Sequence, residues 1–240
     1  MTEYRWPHCD IVIPWLLGYF YCVNLIFCRK FVIVLKLLKK GAEGDIFLTR
    51  YGNAPAILKT RKKKQYRNEI LDDRIRTTRT IRESTILSEA KGFGIRTPLV
   101  YLVDQNNCAI LMQRIQGSVV RDLSGKRLVS ACREIGKITG TLHKNGIMHG
   151  DLTTSNFILS GGKIYTIDFG LSQRTARTED HAVDLRLFKE ILNSAHVGMM
   201  KTLWSSFLRG YRSAVGHDRC GQILDNVSVI EGRGRYAQVV

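Results

Sequence analysis

The stretch H-G-D-L-T-T-S-N at residues 149–156 is followed, twelve residues after its last member, by D-F-G at residues 168–170. This order supplies a carboxylate at Asp151, a carboxamide at Asn156 and a second carboxylate at Asp168. A carboxylate can take a proton from a hydroxyl or a water molecule, or orient it. Amide and carboxylate oxygens are ligands that Mg²⁺ prefers. The stretch therefore predicts a site for metal-assisted phosphoryl transfer, with Asp151 as the catalytic group.

Two glycines near the start of the chain fit the same chemistry. Residues 31–38 read as a strand rich in β-branched side chains, and residues 45–49 read as a second strand. Gly41 and Gly44 lie between them, and glycine lets backbone amides come close to a phosphate. G-x-x-G alone is a weak signal, because an ordinary hairpin contains it as well. Only the later motifs favour nucleotide binding at these two positions.

A lysine and a glutamate complete the expected phosphate-binding group. The predicted strand at residues 54–59 ends in A-I-L-K, close to the V-A-I-K pattern in which a lysine on a strand holds the nucleotide phosphates. This pattern assigns Lys59 to catalysis and nucleotide binding. Glu83, in a predicted helix over residues 72–91, is the carboxylate expected to orient that amine, and Glu89 is the alternative.

The chain is then predicted to pass from a β-rich lobe to a helical one. Residues 97–103 and 108–112 read as a strand pair, and the crossing follows at residues 113–117. We expect the backbone carbonyl of Gln113 and the backbone amide of Ile115 to hydrogen-bond the edge of the adenine. After the crossing, apolar residues recur at steps of three and four over one segment, and three further segments read as helices. These predicted helices cover residues 127–143, 182–194, 199–215 and 221–231.

The charge balance favours a polyanionic partner. The 240 residues carry a formal net charge of +16, which promotes association with nucleic acid or an anionic surface. Nine Lys and Arg against three acids fall within residues 61–82, a run that forms either a solvated helix face or a surface for phosphates. The six cysteines show no C-x-x-C spacing, so reduced thiols are the simplest interpretation.

Residues 1–34 differ from the rest of the chain. Residues 11–28 are almost wholly apolar and are followed by two cations. The length of this apolar segment is only marginally sufficient to span a membrane. The alternatives are an extension outside the functional protein and an unusual folded addition. We expect no membrane association and a cytoplasmic location, and the apolar segment leaves that expectation open.

Several motifs together resemble a known family. The glycine motif G-A-E-G at 41–44, I-R-E at 81–83, the two motifs quoted first, E-D-H-A-V-D-L at 179–185 and R-G-R-Y at 233–236 are similar to the small atypical kinase of the KEOPS complex in its archaeal-eukaryotic form. The resemblance extends from about residue 35 to the end of the chain.

The resemblance implies a Mg²⁺-dependent ATPase that uses ATP and serves threonylcarbamoyladenosine modification of tRNA. It also implies serine/threonine kinase activity when the protein is isolated. The implied partners are the threonylcarbamoyl transferase subunit, other KEOPS subunits and tRNA, and the tRNA is expected to bind a basic surface. Asn156 and Asp168 are the implied Mg²⁺ ligands. Arg233 and Arg235, in a basic C-terminal tail, are implicated in tRNA contact.

Two residues are expected to support the catalytic loop. His149 opens the loop motif, and Asp184 lies on the helix predicted to begin near residue 182. A carboxylate at Asp184 can accept backbone amides of the loop. The plainer alternative is an aspartate near a helix start that interacts with the helix dipole.

Two departures from the kinase pattern argue against a regulated signalling kinase. Pro98 is the last proline, so no A-P-E motif can follow D-F-G, and the segment that docks protein substrates is nearly absent. Gly150 stands where H-R-D has arginine, so that position holds no cation to bind a phosphorylated activation loop.

The predicted fold class is α+β, a bilobal protein-kinase-like fold with a minimal lower lobe and a very short activation segment. The predicted domains are residues 1–34, residues 35–115 and residues 116–240. Two alternatives to the KEOPS role stay open: a small-molecule or lipopolysaccharide-type kinase, and a pseudokinase scaffold.

Overall fold

A computed structural model describes residues 35–41 and 44–236, so the predicted N-terminal segment of residues 1–34 lies outside the described part. The chain divides into two compact units. The first ends at Thr85 and adds Pro98–Arg114, while the second combines Ile86–Thr97 with the residues from Ile115 onward. Residues 86–97, assigned from the sequence to the small lobe, thus group with the helical unit. One reason is the hydrogen bond from the Thr166 amide to the Arg96 carbonyl, 2.9 Å long.

The first unit is built on a five-stranded antiparallel sheet with the order β1-β2-β3-β5-β4. Its strands are β1 (Lys36–Lys40), β2 (Asp45–Tyr51), β3 (Ala54–Thr60), β4 (Val100–Asp104) and β5 (Ala109–Gln113). Two of the inner strands, β3 and β5, carry buried side chains, including Ala56, Ile110 and Met112. The strands expected from alternating and β-branched residues are therefore present. Their ends are shifted by up to three residues, except that the first strand begins at Lys36 and the predicted residues 31–34 lie outside the described part.

Helix α1 (Glu69–Gly92) begins after Asn68, whose side-chain oxygen accepts a hydrogen bond from the Ile70 amide at 3.0 Å. Such a cap satisfies one of the unpaired donors at a helix start. In the first unit α1 buries polar groups, among them Asp72 and Glu83. A helix that buries carboxylates needs cations nearby, because an unpaired buried charge is costly.

In the described residues, the second unit contains the last turns of α1, four further helices and two small sheets. Its helices are α2 (Gly125–Lys144), α3 (Thr178–Ala195), α4 (Met200–Val215) and α5 (His217–Tyr236). One sheet has the order β6-β8-β9, formed by β6 (Ser118–Val119), β8 (Phe157–Ser160) and β9 (Lys163–Thr166), and the other pairs β7 (Ile147–Met148) with β10 (Gln173–Arg174). Strands β8 and β9 pair as an antiparallel hairpin with its turn at residues 161–162, and the predicted apolar stripe of α2 is buried. The four predicted helices are confirmed. The predicted end of the last one at residue 231 was too early.

Helices α2 and α4 approach each other until their backbones touch. A Cβ built on Gly210 would lie 1.8 Å from the Arg133 carbonyl oxygen, and one on Gly136 would lie 2.0 Å from the Phe207 carbonyl oxygen. No side chain fits into such contacts. The glycines therefore set the distance between the two helices on which the core of this unit is built.

Among the helices in the described part of the chain, none combines the length and the apolar character required to cross a membrane.

The glycine contact predicts opposite effects of the same substitution at two helical sites. Gly210→Ala should lower the stability of the protein by about 1–3 kcal/mol, because its methyl group overlaps the backbone of α2. Gly221→Ala, on α5 with no atom near its Cβ position, should raise it by about 0.5–1 kcal/mol through helix propensity. Thermal unfolding of the full chain checks this, and equal shifts in Tm for both variants would contradict it.

Candidate active site

The loop that carries Asp151 depends on a glycine. Gly150 has φ +78°, and a Cβ on it would lie 2.2 Å from the Leu171 carbonyl oxygen. From sequence, Gly150 stood out only as the residue that replaces the arginine of H-R-D. The structure adds a backbone reason, since L-residues avoid this conformation and no side chain fits beside residue 171.

Asp151 and Asn156 are brought together by the turn at Thr154–Asn156. The Asn156 side-chain amide donates to the Asp151 carbonyl oxygen at 2.8 Å and to Asp151 Oδ2 at 2.9 Å. Because the NH₂ group of Asn156 is used in this way, its Oδ1 is the atom that can contact a cation. Both side chains are half-buried. Their roles as catalytic group and metal ligand stay predictions.

Asp168 begins the turn that follows β9. Its Oδ1 accepts a hydrogen bond from the Gly170 amide at 2.8 Å, and the intervening Phe169 is buried. The Phe169 ring lies 5.1 Å from the ring of His149, between centroids. The D-F-G turn is thereby packed against the start of the catalytic loop within the second unit. Ligation of Mg²⁺ by Asp168 stays a prediction.

Asp184 is buried and contacts the catalytic loop directly. Its Oδ2 accepts the His149 amide at 2.6 Å, and its Oδ1 accepts the Gly150 amide at 2.8 Å. It lies well inside α3, away from the helix start, so the helix-dipole alternative does not describe it. Burial by itself would raise the pKa of Asp184, but a hydrogen bond from His143 Nε2 at 3.1 Å helps to hold that pKa below its ordinary value.

A chain of buried polar groups extends behind Asp184. His143 on α2 contacts Asp184 through Nε2 and the Tyr211 hydroxyl, on α4, through Nδ1 at 2.8 Å. The His143 ring also stacks on His181 at 4.1 Å. No motif or spacing in the sequence predicted a role for His143 or Tyr211. Their only sequence signal was a polar residue at the buried end of an apolar helix stripe, which does not identify its partner.

His149 is buried between aromatic rings, and its Nδ1 accepts the Asp151 amide at 3.4 Å. Burial lowers the pKa of His149, so the imidazole is neutral at neutral pH. A neutral ring can accept that amide hydrogen. Structural support of the loop by His149 stays a prediction.

In the first unit, Glu83 is fully buried and binds two cations. Lys59 Nζ lies 2.6 Å from Glu83 Oε1, and Arg61 lies 2.5 Å from Oε2. Glu89, the alternative partner of Lys59, instead pairs with Arg174 at 2.5 Å. Arg61 was not predicted at this site, because in the sequence it stands out only as a member of the basic run at residues 61–82. Its position two residues after Lys59, where side chains of an extended chain share a face, was the available signal.

The glycine motif has a structural role in the described residues. The Gly41 amide donates to the Gly44 carbonyl oxygen at 2.9 Å, and a Cβ on Gly44 would lie 2.0 Å from the Thr60 carbonyl oxygen. Gly44 is therefore required where β2 and β3 meet. Contact of Gly41 and Gly44 with phosphate stays a prediction.

The residues predicted to contact adenine and tRNA lie at the end of a strand, just after it, and on a helix. Gln113 ends β5, where its backbone amide donates to the Leu99 carbonyl oxygen at 2.8 Å. Adenine binding through Gln113 and Ile115 stays a prediction. Arg233 is exposed, and Arg235 belongs to the same helix α5, so both lie on a helix and not on a free tail. Their contact with tRNA stays a prediction.

Comparison with known proteins assigns the family. The family model described as RIO domain matches residues 49–195. The KEOPS complex subunit Bud32 of Pyrococcus abyssi is 40% identical over 214 residues, which cover 85% of this chain and 97% of that protein. The chain belongs to the RIO-domain kinases of the KEOPS type. The resemblance inferred from its motifs is confirmed.

A second relative of this KEOPS-type family is longer. A probable bifunctional tRNA threonylcarbamoyladenosine biosynthesis protein of Methanocaldococcus jannaschii is 43% identical over 210 residues, which cover 88% of this chain. This chain spans only 38% of the length of that relative.

Solved structures confirm the predicted fold class. The Rio2 kinase of Chaetomium thermophilum, in a complex with ADP/Mg²⁺ and phosphoaspartate, superposes with a TM-score of 0.59 at 13% identity, over 85% of this chain and 71% of that one. WaaP in complex with acyl carrier protein superposes with a TM-score of 0.54 at 15% identity, over 86% of this chain and 88% of that one. The α+β, kinase-like architecture is shared with both, and the family is one of phosphotransferases.

The catalytic loop predicts that Gly150 cannot be replaced. Gly150→Ala should lower the free energy of unfolding for two reasons. The positive φ costs an alanine about 1–2 kcal/mol, and its methyl group also overlaps the Leu171 carbonyl group. Gly161→Ala is the matched control, since Gly161 also has a positive φ but open space around its Cβ position. Urea unfolding should show a clearly larger loss for Gly150→Ala. Equal losses would mean that the contact with Leu171 has no energetic weight.

Protonation of the buried histidines predicts loss of stability in acid. Burial is the largest cause that lowers the pKa of His181 to about 4, and His143 and Arg219 contribute further. The unfolded chain therefore binds a proton at a higher pH than the folded chain does. The stabilising effect should be complete above about pH 6.5 and disappear as the pH falls through 4.

Free energies of unfolding measured from pH 7 to pH 4 check this expectation. His181→Gln should flatten the curve by up to about 1.4 kcal/mol per pH unit, the contribution of one proton. The variant keeps a donor for the Thr175 carbonyl oxygen, which lies 3.2 Å from His181 Nε2. His217→Gln removes an exposed histidine and serves as the control. An unchanged slope in His181→Gln would contradict the assignment.

Proposed function

We propose that this protein is the Mg²⁺-dependent ATPase and atypical serine/threonine kinase subunit of a KEOPS complex, supporting threonylcarbamoyladenosine modification of tRNA. The observation that carries the proposal is that hydrogen bonds at two positions fix the catalytic loop. Asp184 fixes its start through two backbone amides, and Asn156 fixes the Asp151 carboxylate. A loop held in this way spends little free energy on ordering when the substrate binds.

The donor set around the loop fits a magnesium ion. Asn156 Oδ1 and the Asp168 carboxylate are hard oxygen ligands, the class that Mg²⁺ prefers. When bound, Mg²⁺ would neutralise the negative charge that the nucleotide phosphates develop. Asn156 and Asp168 would hold the ion, and Gly170 keeps the Asp168 carboxylate oriented through its amide.

The protein groups then divide the remaining work. Lys59 adds fixed positive charge for the phosphates of ATP, and buried Glu83 holds its ammonium group in place. Asp151 orients the attacking oxygen and accepts its proton. Catalysis by such a group of residues consists of positioning and electrostatic stabilisation.

We infer that water is the main phosphoryl acceptor, from the segment that follows the D-F-G turn. Only residues 171–177 separate the D-F-G turn from helix α3, and within them β10 pairs with β7. Arg174 of this segment is also held by Glu89. Such a short, anchored segment offers little surface for docking a protein substrate. This supports ATP hydrolysis as the main reaction and serine/threonine phosphorylation as a secondary one.

The names of the relatives support the biological assignment. One is a KEOPS complex subunit, and others are named as tRNA threonylcarbamoyladenosine biosynthesis proteins. We infer from these names that this chain acts beside a threonylcarbamoyl transferase subunit and other KEOPS subunits, with tRNA as the modified substrate. We place this activity in the cytoplasm. The similarity to WaaP lies at 15% identity and supports the fold alone, so it gives no argument for a small-molecule kinase.

Substitution of the proposed metal ligand tests the chemistry. Asp168→Ala should lower Mg²⁺-dependent ATP turnover at least about 100-fold, because a metal ligand contributes several kcal/mol to charge stabilisation. Asp225→Ala, an exposed acid on α5, should leave turnover unchanged. Equal turnover in wild type and Asp168→Ala would refute the catalytic assignment.

The same assay with added components tests the KEOPS role. ATP turnover of the wild type should rise on addition of the transferase subunit and tRNA. Turnover that depends on Asp168 but does not respond to either component would instead indicate an unrelated kinase.

A further inference from the structure

A basic cavity of about 750 Å³ lies entirely within the second unit. One face of helix α2, the β8–β9 hairpin and helix α4 form its walls. A single acid, Glu134, lines it against five cations: Arg96, Arg127, Arg133, Lys137 and Lys163. The cavity contains none of the residues assigned to phosphoryl transfer.

A second cavity of about 480 Å³ adjoins the first and shares Ser130 and Arg133 with it. It adds Lys126 and Arg209 to the set of cations. We call the seven cations of both cavities the α2 basic surface. All seven side chains belong to exposed residues.

The geometry of the α2 basic surface is set by regular structure. Arg127, Arg133 and Lys137 fall within about a third of the circumference of α2 and extend about 15 Å along its axis. Gly161 and Gly162, both with positive φ, make the tight turn that places Lys163 at the start of β9. The α2–α4 glycine contact holds the opposite wall. The cations are thus presented by rigid elements.

Among residues 35–41 and 44–236, no counter-ion pairs with the cations of this surface. In the described residues, none of the seven cations has an ion pair or a side-chain hydrogen bond. Clustered like charges repel one another, and binding of an anion removes that cost.

The basic run at residues 61–82 behaves differently. Several of its cations are paired within the first unit. These pairs include Arg61 with Glu83, Lys62 with Asp45, Lys63 with Glu69, Arg67 with Asp72, and Arg76 with Asp72 and Asp73. From sequence this run was either a solvated helix face or a surface for phosphates, and both alternatives stay predictions. The α2 basic surface differs from it because the described residues show no such partners for its cations.

The shape and chemistry of the surface favour one class of anion. A row about 15 Å long exceeds a single phosphate, so it suits a polyanion. Guanidinium groups match phosphate oxygens in paired hydrogen bonds. Among the described residues that line the two cavities, none is aromatic, so the surface lacks the stacking groups that bind single-stranded bases and the aromatic anchors of a membrane-binding face. Double-helical RNA, by contrast, is bound mainly through its shape and backbone.

We propose that the α2 basic surface binds the phosphate backbone of a double-helical RNA segment. The choice of tRNA as its source rests on the proposed function, whereas the affinity for duplex RNA does not. The surface would add a binding site for tRNA on the second unit, separate from Arg233 and Arg235.

A matched pair of variants of the full chain tests this proposal. Arg127→Gln/Arg133→Gln/Lys137→Gln removes three cations of the surface and keeps good helix formers. Lys144→Gln/Arg177→Gln/Lys201→Gln removes three exposed cations of the same unit that line neither cavity. The probes are a tRNA transcript, a short RNA duplex of arbitrary sequence, a single strand of equal length, phosphatidylserine vesicles and a polyglutamate peptide.

Fluorescence anisotropy over a range of salt concentrations measures the affinity of each variant for each probe. The surface variant should bind tRNA and duplex RNA about tenfold or more weakly at physiological salt, and the slope of log K against log salt should fall by about 2 to 3. The control variant should bind like the wild type. If the α2 variant does not fold, Arg96→Gln/Lys163→Gln removes charge from the other walls, with a slope expected to fall by about 1 to 2.

Other outcomes overturn the proposal. Equal losses in surface and control variants would mean that only net charge matters. A loss confined to vesicles, to polyglutamate or to the single strand would assign the surface to that partner instead. ATP turnover without RNA should be the same in the surface variant and the wild type. Absence of turnover in both would refute the proposed function and leave the RNA result standing.

Discussion

The carboxylate of Asp184 is the contact on which the catalytic loop depends. It is buried, and burial of a lone carboxylate is costly. Two backbone amides and His143 compensate by donating to it. Because the two amides belong to His149 and Gly150, the bonds that stabilise Asp184 also fix the residues immediately before Asp151. Support of the carboxylate and placement of the loop are therefore one arrangement.

The fold required by this arrangement explains why some parts were predictable from sequence and others were not. Strands and helices follow from local patterns of apolar and β-branched residues. The partner of Lys59 followed from the kinase pattern, in which one inward carboxylate orients the lysine amine. Arg61 shares that carboxylate, and nothing local distinguishes it from the cations that follow it.

Contacts between segments that are distant in the chain could not be predicted from local sequence patterns. His143 and Tyr211 lie 68 positions apart and meet only because glycines let α2 and α4 touch. The conformation of Gly150 likewise depends on the carbonyl oxygen of Leu171, which the D-F-G turn places beside it. Such positions follow from packing of the whole unit, and a motif records only the residue that results. The same limit applies to charge: composition gives the excess of cations, but only the fold shows which of them are paired.

These features together bear on how the site is controlled. In H-R-D kinases the arginine gives the activation loop a means to report its phosphorylation. Here the backbone at Gly150 excludes any side chain, and residues 171–177 are anchored by β10 and by the pair between Arg174 and Glu89. A loop already fixed by Asp184 gains little from a phosphate-dependent ordering step. Control of a site built in this way has to come from what binds around it, and a surface of unpaired cations on the same unit is suited to sensing RNA.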